Sequence, residues 1–138
     1  MKKLVRFGVS LDHHLLDDFD RLITRKNYTN RSEALRDLIR DNLVGQEWNE
    51  NKETVGTITF VYDHHVRDLT KTLTDIQHGY QRLILSGMHV HLDHDHCLEV
   101  LVVKGKGSEI KKVSDMLIGT KGVKHGKLTG TTTGKSLS

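Results

Sequence analysis

Ten consecutive residues, Met88-His89-Val90-His91-Leu92-Asp93-His94-Asp95-His96-Cys97, hold four of the chain's ten histidines, two aspartates and its only cysteine. Imidazole nitrogen and thiolate sulfur are borderline to soft donors, so this set suits Ni, Cu or Zn and offers too few hard oxygens for Mg or Ca. A single cysteine cannot close an internal disulfide, and beside histidines it points to metal binding or catalysis.

Donors help only if the backbone brings them together. Met88, Val90 and Leu92 alternate with His89, His91 and Asp93, the period of a half-buried strand. Beyond Cys97 the alternation resumes with Leu98, Val100 and Val102, so a second strand follows a short polar turn. If the apolar residues of both strands share a face, paired positions have the same parity. That excludes a two-residue turn and favours a three-residue or bulged loop around Asp93 to Asp95. His91 then lies opposite or diagonal to Cys97. Alternate strand residues are roughly 6.5 to 7 Å apart, so His89, His91 and Cys97 can converge above the sheet. A fourth position stays open. His78, late in the preceding helix and off its apolar stripe, is the candidate, within reach of an adjacent subunit.

The rest of the chain must supply that frame. Apolar residues make up 36% and aromatics 5% of 138 residues, too little for one large core, so two small modules completed by oligomerisation are expected. No apolar run approaches the roughly 20 residues of a membrane span, and the charged start leads into no signal-peptide region, so a cytoplasmic protein is expected. The net charge of +3 permits nucleic-acid binding without requiring it.

From the N-terminus, Val5, Phe7, Val9 and Leu11 form the apolar side of a strand. Asp12 caps a helix with Leu15, Leu16, Phe19, Leu22 and Ile23 at helical spacing. Asn30-Arg31-Ser32-Glu33 reads as a capping box opening a second helix with Ala34, Leu35, Leu38, Ile39 and Leu43 inward. One strand makes no sheet, so this unit needs a second copy. Arg6-Phe7-Gly8-Val9-Ser10-Leu11 followed by Asn30-Arg31-Ser32-Glu33-Ala34-Leu35-Arg36-Asp37 resembles the ribbon-helix-helix repressors. The resemblance implies base readers at Arg6, Gly8 and Ser10, with a phosphate held at the start of the second helix near Arg31 and Ser32. Gly8 departs from the polar residue of the pattern and offers no side-chain base contact. Glu33 and Asp37, at i, i+4 spacing, are candidates for a weakly held cation, in competition with pairing to Arg36 and Arg40.

After a polar stretch, Thr57 to Tyr62 reads as a strand. Val66, Leu69, Leu73, Ile76, Tyr80 and Leu83 read as one face of a long helix ending near Ser86-Gly87. The two strands of the hairpin follow, then a helix with Ile110, Val113 and Leu117, and a last strand from Gly122 to Leu128. The order β-α-β-β-α-β is the ferredoxin-like pattern, with both helices on one sheet face and the other face free for another subunit, as in ACT-type regulatory domains. The expected class is α+β: a ribbon-helix-helix domain over 1–45, a linker over 46–54, a ferredoxin-like domain over 55–130 and a disordered tail over 131–138.

Taken together, Gln77-His78, Leu85-Ser86-Gly87-Met88-His89-Val90-His91, Asp93-His94-Asp95-His96-Cys97-Leu98-Glu99 and Gly122-Val123-Lys124-His125-Gly126 closely resemble the nickel-responsive regulators over nearly the whole chain. The resemblance implies Ni(II) in a square plane of three imidazoles and one thiolate, His89, His91 and Cys97 from one chain and His78 from another. Glu99, two residues past Cys97, is a candidate to orient a ligand. His94 and His96, with His64 or His65, are candidates for a secondary, weaker site, and His13, His14 and His125 read as surface residues. The implied function is a nickel-dependent repressor, a homotetramer built as a dimer of dimers. It would bind a palindromic double-stranded operator, with no organic cofactor, no membrane partner and no enzymatic activity. A nickel chaperone or storage protein would use the same ligands but leave Arg6 and Ser10 without purpose. A metallohydrolase would need a general base of the HExxH kind, which the sequence lacks.

Overall fold

The computed structural model describes residues 3–138, and the chain divides into two compact units at Asp41/Asn42. Met1 and Lys2, part of the charged start, lie outside the described residues.

In the first unit, α1 spans His13–Arg25 and is capped by Asp12, whose carboxylate accepts from the His14 amide at 2.8 Å. The helix α2, Arg31–Asn49, opens on Asn30, whose side-chain oxygen accepts from the Glu33 amide at 2.9 Å. Glu33 does not complete the reciprocal bond of a capping box; it accepts from the Thr29 hydroxyl at 3.0 Å. Residues 3–12 pair with no strand in the single chain. Leu4, Val5, Phe7 and Val9 are 87, 79, 70 and 59% exposed, and Leu38 and Ile39 of α2 are exposed too. Apolar surface of this extent on one small unit marks a contact face.

The polar stretch after Gly45 is helical to Asn49, which corrects the expected linker. A mostly exposed helical turn needs no apolar period, and this one is anchored by Trp48 and by Glu47. The Trp48 indole N–H donates to the Thr131 carbonyl at 2.9 Å, and its ring lies so close to Gly130 that a Cβ there would stand 2.6 Å from it. Nor is the Thr- and Gly-rich C-terminus free: β4 runs to Thr131, and the Thr132 hydroxyl reaches both carboxylate oxygens of Glu47 at 3.2 and 3.1 Å.

The second unit orders its elements as β1 Glu53–Asp63, α3 Leu69–Gly79, β2 Ile84–His91, β3 His96–Lys106, α4 Gly107–Ile118 and β4 Val123–Thr131. The sheet order is β2-β3-β1-β4 and every pairing is antiparallel, the expected ferredoxin-like arrangement. Ile58, Phe60 and Tyr62 of β1 with Leu101 and Val103 of β3 bury one sheet face against Leu69 and Leu73 of α3 and Ile110, Val113 and Leu117 of α4.

Two readings change here. The helix α3 ends at Gly79, well short of Ser86-Gly87, because residues 80–83 turn back and Leu83 joins the sheet edge, its carbonyl accepting from the Lys104 amide at 2.8 Å. The alternating apolar residues of the hairpin lie on the face without helices: Met88, Leu92 and Leu85 are 61, 53 and 59% exposed, while Cys97, Leu101 and Val103 are buried on the other side. No helix of the described residues is long and apolar enough to cross a membrane.

Candidate metal centre

The hairpin register sets the site. Val90 pairs with Leu98, His89 with Glu99 and His91 with Cys97, so paired positions share parity; Leu92 to Asp95 join the strands, and the Leu92 amide donates to the His96 carbonyl at 2.9 Å, leaving Asp93 to Asp95 as the turn itself. Asp93 builds that loop: its Oδ1 accepts from the Asp95 amide at 2.9 Å, the His96 amide at 2.8 Å and lies 3.0 Å from His96 Nδ1. Those bonds hold its carboxyl at a pKa of about 2, below the ordinary 3.8.

Odd-numbered residues of β3 share the helix-covered face, which places Cys97 and Glu99 beside His91 and His89. Cys97 Sγ is 3.5 Å from His91 Nδ1 and fully buried. Burial, with smaller effects from Glu99, Asp63 and Asp93, raises the thiol pKa above its ordinary 9.0, so the metal-free site favours the thiol over the thiolate. A divalent cation reverses that balance by ligating the deprotonated sulfur.

The donors that gather around Cys97 in the single chain are His91 and His64, all three within 4.8 Å of one another. The His64 ring is edge-on to that of His91 with centroids 5.7 Å apart. His64 Nε2 lies 2.8 Å from the His94 carbonyl, which can only accept, so the neutral ring carries its proton there and keeps Nδ1 as its lone-pair donor. The sequence groups His64 with the turn histidines, whereas the fold brings it beside Cys97. Antiparallel pairing of β1 with β3 sets Tyr62 opposite Cys97, so the residues leaving β1 necessarily emerge beside the thiol.

His89 stands one ring away from His91, centroids 5.2 Å apart, and its Nδ1 is 3.6 Å from Glu99 Oε1. Glu99 also accepts from the Tyr62 hydroxyl at 2.6 Å and from the Gln77 amide at 3.1 Å. Tyr62 is itself raised well above the ordinary 10.0, first by burial and then by that bond. A half-buried carboxylate thus links the hairpin to the end of α3, where His78 follows Gln77. His78 is exposed and belongs to none of the donor groups found among the described residues.

The expected DNA-contact residues are all exposed: Arg6, Gly8 and Ser10 in the unpaired N-terminal segment, Arg31 and Ser32 in the first turn of α2. A Cβ on Gly8 would meet nothing within 4 Å. Arg31 already holds Asp20 with two parallel hydrogen bonds of 2.9 and 2.8 Å, a fork that fixes α1 against the start of α2. Glu33 and Asp37 already have partners: Asp37 accepts from the Tyr28 hydroxyl at 2.7 Å and from Arg40 at 3.2 Å, and Glu33 accepts from the Thr29 hydroxyl at 3.0 Å. Both the Tyr28 bond and the Arg40 bond lower the Asp37 pKa below 3.8.

Residues 55–131 match the family described as the NikR C terminal nickel binding domain. Curated relatives span the chain end to end. Those of Geobacter metallireducens, Solibacter usitatus and Geobacter sulfurreducens are 60, 59 and 59% identical over 138 residues, covering 99% of both chains in each case. Each bears the name "Putative nickel-responsive regulator".

Proposed function

The chain belongs to the family of nickel-responsive regulators, and from that premise we propose that it is a nickel-dependent repressor whose metal site is completed between subunits. The observation that carries this is the partial donor set. His89, His91 and Cys97 line one face of the hairpin, while His78 stands exposed and apart from them in its own chain. Their chemistry fits nickel: one thiolate and imidazoles, borderline to soft, and the group of His64, His91 and Cys97 contains no carboxylate. His78 of a neighbouring copy is the fourth donor. When bound, nickel supplies bonds that join donors of two chains, and a site split this way favours the docked arrangement over the undocked one.

The protein's own part is to translate docking into DNA affinity. Two copies of residues 3–12 pair as a two-stranded ribbon through Val5, Phe7, Val9 and Leu11. Arg6 and Ser10 then face base edges in the major groove, and the amides at the start of α2 meet phosphate. In a dimer of dimers the two ribbons contact the two halves of a palindromic operator, so nickel and DNA each raise the other's affinity. Quantitative titration of a palindromic operator with and without Ni(II) tests this. Nickel is expected to raise DNA affinity at least 5-fold, a typical coupling, and His78→Ala to abolish the difference; equal affinity in both states rejects the reading. Arg6→Ala separates a repressor from a nickel storage protein, since only the repressor loses operator binding while keeping its metal.

A further inference from the structure

The end of α2 is gripped by three parts of the second unit: the start of α4, the end of β4 and the segment that follows β4. Asn51 takes a left-handed conformation, φ 58°, and stops the helix in a Schellman turn. The Asn51 amide donates to the Trp48 carbonyl at 3.2 Å and the Lys52 amide to the Glu47 carbonyl at 3.0 Å. That turn is tied to α4. Asn51 Oδ1 accepts from the Ser108 amide at 2.8 Å and the Lys52 carbonyl from the Gly107 amide at 3.3 Å, two amides that a helix start leaves without intrahelical partners.

Trp48 and Glu47 supply the other two grips. The indole meets glycine on α4 and on β4: a Cβ on Gly107 would stand 3.1 Å from its ring, and one on Gly130 2.6 Å. Glu47 is only 9% exposed, and its carboxylate accepts from the Thr132 hydroxyl. The Gly134 amide donates to Thr132 Oγ1 at 3.1 Å and the Leu137 amide to the Gly134 carbonyl at 3.3 Å, which curls residues 132–137 back on themselves. Ser136 and Leu137 thereby line a cleft together with Leu43, Gln46 and Glu47 of α2. Beyond Thr132 the ties are weak: Lys135 Nζ is 4.0 Å from Glu53 Oε1, with side chains 74 and 55% exposed, a pair worth little in water.

The helix so gripped runs from Arg31, in the first unit, to Asn49, in the second. Helix ends open at low cost unless tertiary contacts hold them, and coupling between two sites needs an element with two states that both sites bias. We propose that residues 132–137 are a regulatory strap that makes the end of α2 such an element. Closed on Glu47, the strap keeps α2 helical to Asn49, and a change at the metal centre is passed along the helix to the DNA-binding unit. Open, it lets the last turn of α2 melt, and nickel and operator are bound independently of each other. This deepens, and rests on, the nickel-repressor reading.

Hydrogen exchange tests the strap in two variants: a chain ended after Thr131, which keeps all of β4, and Thr132→Val, which removes only the hydroxyl. The Glu50 and Lys52 amides, which donate to the Gln46 and Glu47 carbonyls, are expected to exchange about tenfold faster in both. Thr132→Ser, which keeps the hydroxyl, should exchange as the parent does. Nickel affinity, read by competition with a chelator, should be unchanged in the shortened chain, while the gain in operator affinity on adding nickel falls about fivefold. Unchanged exchange in the shortened chain overturns the proposal, and so does faster exchange with the full effect of nickel on operator affinity retained. An operator affinity that nickel does not alter in the parent rejects the repressor reading, and the exchange rates then still decide whether the strap holds the helix.

Discussion

Glu99 accepts from the Tyr62 hydroxyl and the Gln77 amide and lies 3.6 Å from His89 Nδ1. Glutamine has one oxygen and one NH2 in the same space, so Glu99→Gln turns one of these contacts into donor facing donor. Nickel affinity is expected to fall about 10–100-fold with the far-ultraviolet circular dichroism unchanged, as read by competition with a chelator; an unaltered affinity would remove Glu99 from any orienting role. Asp20 makes a second prediction at this scale. The hydrogen bond from Arg31 holds its carboxyl below the ordinary 3.8, against the opposing effect of burial. A folded pKa below the unfolded one means that the pair's contribution is complete above the unfolded value and is lost as pH falls through the folded one. Melting temperature should therefore drop more steeply below about pH 4 in the parent than in Asp20→Asn, and the gap between the two should be flat above about pH 5.

Among the elements, the hairpin was legible because its signal is local. Alternation over Met88 to Leu92 and Leu98 to Val102 dictates the parity, which leaves His91 opposite or diagonal to Cys97 and a three-residue or bulged loop; the register then sets His91 directly opposite Cys97. Alternation marks which residues share a face; it does not say which face the helices cover, and here the apolar residues of β2 turned out to be the uncovered ones. His64 was legible only through topology, since its nearness to Cys97 depends on β1 lying beside β3, not on sequence spacing. The end of α3 was misplaced because Leu83 continues the apolar stripe in number though it is buried from a turn. The last turn of α2 was hidden for the opposite reason: it shows no apolar period and is held by Trp48, packed where Gly130 leaves room, and by the Glu47–Thr132 hydrogen bonds. Gly130→Ala puts a methyl group into that ring, and a loss of about 1–3 kcal/mol in urea unfolding is expected; no change would mean that Trp48 can step aside freely.

For the whole molecule, the decisive fact is surface left bare. The N-terminal segment exposes Val5 and Phe7, and the sheet of the second unit exposes Met88 and Leu92. The first surface suits ribbon pairing and the second suits docking of the sheets in the proposed dimer of dimers. Val90→Glu places a charge among Met88, Leu98 and Val100 at the centre of the second surface without touching the first. Sedimentation should then show dimers in place of tetramers; a tetramer that survives would place the second contact elsewhere.

The bare sheet face, docking a second copy as proposed, would also tie sensing to copy number. The proposed site shared between chains would obey mass action in protein as well as in metal, so below the concentration at which copies meet, added nickel would find only the incomplete set around Cys97. A cell could therefore set its response threshold through how many chains it makes, and a promoter controlled by this protein would read gene dosage along with nickel.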